Sequence, residues 1–175
     1  GASPFALRLS AALIGIATVA AAVWATYELL AGRAEARRTA LLCGAFVATS
    51  FWHLVFSRLG FRAVSQPLLE ALTVAALWRG LRLRAAAGAR PETTHETGGR
   101  AGFSGGWGWL LMAGACLGLT AYTYLAARAF PIPLAVALCA LLAAMPGGAR
   151  RARLVDIALV IGVAALQFML DNGNE

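Results

Sequence analysis

The chain has 175 residues, of which 60% are hydrophobic and 13% charged, with a mean hydropathy of +0.72. Water-soluble domains carry about 45–50% apolar and about 25% charged residues, so these proportions argue against a soluble globule and equally against a disordered chain. The net charge is +7, and all 15 basic residues are arginine. Such a balance suggests nucleic acid until the positions of the arginines are considered.

Six apolar stretches are long enough, or nearly so, to cross a bilayer, which takes about 20 residues and at least about 17. They run over residues 9–31, 40–57, 64–79, 107–129, 130–145 and 154–170. The third is short and carries Glu70. Arg8 followed by an apolar run has the look of a secretory signal, yet about 23 apolar residues exceed the usual signal core. It is therefore read as a retained helix. Alanine- and leucine-rich runs without period-two alternation do not build a membrane barrel. The expected fold class is all-α: a polytopic integral membrane helix bundle, with about six transmembrane helices in two three-helix halves.

The halves span residues 1–82 and 107–175. Between them, residues 83–106 are rich in glycine and threonine with no apolar period, as in a flexible linker. With six spans, Arg33, Arg37, Arg38, Arg79, Arg82, Arg84, Arg90, Arg100, Arg150, Arg151 and Arg153 share one side of the membrane. Only Arg8, Arg58, Arg62 and Arg128 fall on the other. Cytoplasmic loops collect the arginines, so the linker is expected in the cytoplasm and both termini in the periplasm of a bacterial inner membrane. The basic balance is then topology, and no nucleic-acid partner is expected. Trp24, Tyr27, Trp52, Trp78, Trp107, Trp109, Tyr122 and Tyr124 fall near the expected helix borders, where aromatic side chains favour the headgroup level.

Ionisable groups inside a bilayer are costly and become functional candidates. A hairpin of the second and third helices around Gly60 and Phe61 brings His53 and Glu70 to nearly the same depth, a candidate intramembrane polar pair. The plainer reading is a clamp between helices. Pro67, Pro131 and Pro133 are candidate helix breaks; as ordinary helix starts they need no further role. Glu28 and Asp156 sit at the cytoplasmic margin near Arg33 and Arg153, which suggests local charge balance. Gly114, Gly118 and Ala121 read as a close-packing face, and Gln167 as a possible hydrogen-bonding group between helices.

Catalytic signatures are missing. Cys43, Cys116 and Cys139 show no CxxC spacing, and HExxH, Walker and GxSxG motifs are absent. His53 alone lies in a span, so a bis-histidine haem is not expected. No catalytic residue, metal site or cofactor is expected, and the chain is read as a non-enzyme.

The stretch from Trp109 onward holds Tyr124, the break Phe130–Pro131, a short helix, the basic loop Arg150 to Arg153, and a last helix ending near Phe168 and Asp171. It resembles the small membrane subunit of the tripartite tricarboxylate transporters, the TctB family. Gly60, Phe61, Arg62 and Pro67 are similar to the same kind of break after an earlier helix. That family usually has four spans and a Gly-Pro-Arg-x-Phe-Pro motif in its first half, where this chain has six apolar stretches and GFRAVSQP. The resemblance implies an accessory subunit for carboxylate uptake, seated in the lipid bilayer beside a larger polytopic membrane protein. It transfers no solute-binding residue. Two other readings stay open: a structural or assembly subunit of a respiratory or photosynthetic complex, and a small self-associating proton-coupled transporter or channel using His53 and Glu70.

Overall fold

A computed structural model of the chain describes residues 4–51, 53–55, 64–88, 106–123, 129–145 and 147–172. Those residues form helices joined by turns, with no strand among them. The principal helices are α1 (Pro4–Leu29), α2 (Ala36–Thr49), α3 (Ser65–Gly88), α4 (Trp107–Thr123), α5 (Pro131–Ala143) and α6 (Gly147–Asn172). Phe51 and residues 53–55 are helical as well. The all-α expectation holds. Among the described residues, two helices are long and apolar enough to cross a membrane, over Phe5–Leu29 and Arg150–Leu170.

The observed bounds differ from the expected ones where charge interrupts the apolar pattern. α3 runs through Arg79, Arg82 and Arg84 to Gly88, into the stretch read as linker. α6 begins before its arginines. Arginine is a good helix former, so loss of hydropathy there marks a change of surroundings and not the end of the helix. Residues 89–105, which complete the expected linker, lie outside the described residues, as do Trp52, Gly60, Phe61, Arg62 and Tyr124.

Pro131 is the first residue of α5, and Pro133 and Pro67 sit in the first turns of α5 and α3. An N–H is unpaired at these positions in any helix. None of the three prolines interrupts a helix.

The helices pack in the order α2, α1, α3, α4, α6, with α5 lying lightly against α6. Side-chain contacts give their directions. Glu28 of α1 meets Arg79 and Arg82 of α3, so the ends of these two helices lie together. Gly80 approaches Leu110, and Arg84 lies over Trp107, so α3 and α4 are antiparallel. Gly114 touches Val160 and Val163 while Gly118 touches Ala164 and Gln167, so α4 and α6 run the same way. The path therefore alternates, and one end of the bundle gathers the C-terminal parts of α1 and α3 with the beginnings of α4 and α6.

Small residues make these approaches. On α1 the buried stripe is Ala11, Gly15, Thr18, Ala21, Ala25 and Glu28, at helical spacings of three and four. On α2 it is Ala36, Ala40 and Gly44. A side chain at Gly44 would collide with Val23, and one at Gly114 with Val163 and the Val160 carbonyl. The central core joins Ala76, Leu77 and Leu81 of α3 to Leu110, Ala113 and Leu117 of α4, then to Ile157 and Val160 of α6. Gly106 has φ +91° and its Cα faces the Gly80 carbonyl, so a β-carbon there meets both an unfavourable backbone region and a clash.

Candidate functional site

The polar interior collects at the end where α1 and α3 finish and α6 begins. Glu28 is 1% exposed and Asp156 is 2% exposed. Buried carboxylates require paired charges and hydrogen bonds, and α3 supplies them. Arg79 Nη1 donates to Glu28 Oε1 at 2.7 Å, and Arg82 Nη2 lies 2.5 Å from Glu28 Oε2. The Trp24 indole N–H donates to Glu28 Oε1 from one turn back, at 3.2 Å. Arg84 Nε donates to Asp156 Oδ1 at 2.5 Å, and Arg153 stands 3.6 Å from Oδ2. Arg153 also donates to the Leu81 carbonyl of α3.

Aromatic faces hold the arginines in place. The Arg79 guanidinium lies 4.8 Å from the Trp109 ring centre, and that of Arg84 lies 3.8 Å from the Trp107 ring centre. Both distances suit a cation–π contact. Trp24 meets Trp109 edge to face at 5.5 Å. The tryptophans near these borders therefore knit the ionic end together across α1, α3 and α4. A cavity of about 210 Å³ opens among Glu28, Trp78, Arg82, Met145 and Arg153.

Sequence reasoning placed Glu28 near Arg33, its neighbour in the chain. The structure instead gives it Arg79 and Arg82, while Arg153 is one of two partners of Asp156. The available signal was the spacing of Arg79 and Arg82, three residues apart and thus on one helix face, but it is visible only if α3 is carried past Arg79.

The candidate pair His53 and Glu70 takes separate partners. His53 Nε2 donates to the Gly15 carbonyl of α1 at 3.1 Å, and Glu70 Oε1 accepts from Gln66 Nε2 at 2.9 Å. His53 thus ties the chain after α2 to α1, about 20 Å along α1 from Glu28 at a rise of 1.5 Å per residue. Gln167 presses its side-chain oxygen against Gly118, and its backbone carbonyl accepts from the Tyr122 hydroxyl at 3.4 Å. Hydroxyls inside the bundle are satisfied within their own helices: Thr18 donates to the Ile14 carbonyl and Thr73 to that of Leu69, both at 2.8 Å.

The ionic end can fasten helices, and it can offer cationic groups to an anion. Among the described residues its ionisable groups are these arginines and two paired carboxylates. Among the described residues no group of three His, Cys, Asp or Glu is placed to hold a metal ion. No family model, curated protein or solved structure matches the chain.

Proposed function

We propose that the chain is a non-catalytic integral membrane protein: an accessory small subunit of a carboxylate-uptake system, seated beside a larger polytopic permease. The observation that carries the membrane reading is the inverted distribution of side chains. Bulky apolar residues face outward, Phe46 at 78% and Met169 at 71% exposure, while Glu28 and Asp156 lie inside. In water that arrangement forfeits the apolar burial that drives folding. In lipid it is favourable, because outward apolar groups cost nothing and close packing of small residues holds the helices together.

The two longest apolar helices support the same reading. Only 22% of the α1 window and 17% of the α6 window is buried, unlike the core helices of a soluble domain. Glu28 of α1 is gripped by α3, and the small-residue stripe of α1 packs against neighbouring helices, which supports α1 as part of the bundle. α4 has 17 residues and α5 has 13, about 26 and 20 Å at 1.5 Å per residue, against a hydrocarbon layer of about 30 Å. The proposed path crosses six times, with α2 (14 residues), α4 and α5 all shorter than that layer and relying on their flanks. The arginine-rich end faces the cytoplasm.

The accessory role rests on the resemblance of the second half to the small subunits of tripartite carboxylate transporters, together with an interior used for fastening. A mild-detergent pull-down of the tagged chain from its native membrane, followed by mass spectrometry, tests it. A large permease recovered in fixed ratio is the expected result. Electron-transfer or pigment proteins in its place make the chain an assembly subunit of another complex, and recovery as a lone oligomer overturns the accessory role.

A further inference from the structure

The ionic end carries more positive charge than its carboxylates neutralise. Arg79, Arg82, Arg84 and Arg153 surround two acids, Glu28 and Asp156. Two of the four, Arg82 and Arg153, line the cavity of about 210 Å³ beside Glu28, which leaves the lining one positive charge in excess. Uncompensated charge at the edge of a low-dielectric layer is costly, so an anion in that cavity is favoured. Guanidinium groups have five donors in a planar fork and bind phosphate oxygens in pairs.

A second cavity, of about 310 Å³, lies between α4, α5 and α6 and is walled by apolar groups such as Leu117, Ile161 and Phe168. The two cavities share one face of α5. Leu134 and Leu138 line the apolar cavity, and Leu141 and Met145 line the cationic one. Leu134, Leu138 and Leu141 follow one another on α5 at steps of four and three residues, which keeps these side chains in line over about 10 Å, and Met145 lies just past the end of that helix. One helix face thus leads from two arginines to an apolar chamber. A free phosphate uses the first compartment and leaves the second idle; an amphiphile fills both.

We propose that this furrow binds an anionic phospholipid, its phosphate on Arg82 and Arg153 and an acyl chain along α5 between α4 and α6. The inference rests on the membrane reading and adds a ligand class to it.

The test uses the full chain, purified in mild detergent, with native mass spectrometry of retained phosphatidylglycerol and phosphatidylcholine. Phosphatidylglycerol is expected to be preferred. Each juxtamembrane arginine contributes about fivefold in affinity for an anionic lipid, so R82Q and R153Q each weaken retention about fivefold and together about thirtyfold. Both arginines also fasten helices, so a third variant keeps the charges. Ala85 is exposed on α3 and lines the cationic cavity; A85W fills that cavity and is expected to remove the preference while the helical circular dichroism stays unchanged. Equal retention of the two lipids, or undiminished phosphatidylglycerol in A85W, overturns the proposal. Inorganic phosphate that stabilises the chain as well as phosphatidylglycerol does overturns it in favour of a free-anion site. Release of the chain from carbonate-washed membranes sinks the membrane reading itself, whereas a chain retained there without lipid preference sinks only this inference.

Discussion

Glu28 of α1 and Arg79 of α3 lie 51 positions apart in the chain and meet through a 2.7 Å charge-assisted hydrogen bond. The bond closes the bundle at one end, because the same carboxylate also holds Arg82 and the Trp24 indole. Glu28 lies at the end of a helix whose C-terminal carbonyls are already partly negative, and the two arginines offset that local repulsion. Breaking a buried pair by removing one partner costs about 3–5 kcal/mol. Arg79 and Arg82 are 38% and 43% exposed, so E28Q is expected to cost about 3 kcal/mol, the low end of that range. Thermal unfolding in detergent measures it. An E28Q protein as stable as the parent shows that the contact fastens nothing.

Part of this arrangement is legible in the amino-acid sequence and part is not. The apolar runs announce the helices, and Gly114 and Gly118, one turn apart, announce a close approach that α6 fills. The end of α3 is hidden, since Arg79, Arg82 and Arg84 depress the hydropathy of residues that remain helical. With α3 cut short, Glu28 is matched to Arg33, its neighbour in the chain, and the ionic end disappears from view. His53 and Glu70 looked like partners because both are polar and at similar depth. Depth says nothing about azimuth around the helix, and the hydrogen bonds of the two go to Gly15 and Gln66.

Glycine substitutions separate the packed face from the open one. A β-carbon at Gly114 falls 2.8 Å from Val163 Cβ and 2.9 Å from the Val160 carbonyl oxygen, whereas one at Gly162 meets nothing within 4 Å. Gly162 is helical and exposed. G114A is expected to destabilise by about 1–3 kcal/mol through overpacking, and G162A to stabilise by up to about 1 kcal/mol through helix propensity. Opposite shifts in melting temperature are the expected outcome. Equal shifts contradict the close crossing of α4 and α6.

Arg150 acts on a helix other than its own. Its Nε donates to the Leu142 carbonyl at 3.1 Å and its Nη2 to that of Met145 at 3.2 Å, so it covers the open end of α5. A cation there adds a hydrogen bond to the last carbonyls and opposes the negative pole of the helix. R150A is expected to cost about 1 kcal/mol and, more tellingly, to speed amide exchange at the last turn of α5 while leaving α1 and α3 unaltered. Uniform acceleration in all helices contradicts a local cap.

The proposed orientation makes a sharper demand, because the alternating path fixes both ends of every helix at once. Ala34 is exposed in the connection between α1 and α2, next to the ionic end, and Phe5 is exposed at the opposite end of α1. The native thiols Cys43, Cys116 and Cys139 are first replaced by alanine. A34C is then expected to resist a membrane-impermeant maleimide in intact cells and to react after lysis, while F5C reacts in both. The reason is electrostatic: Arg33, Arg37, Arg38, Arg79, Arg82, Arg84, Arg150, Arg151 and Arg153 fall in or beside the ionic end, and arginines near helix ends are held on the cytoplasmic side. Labelling of A34C but not F5C from outside inverts the orientation and moves the proposed lipid site to the outer leaflet. Labelling of both from outside is incompatible with α1 crossing the membrane at all.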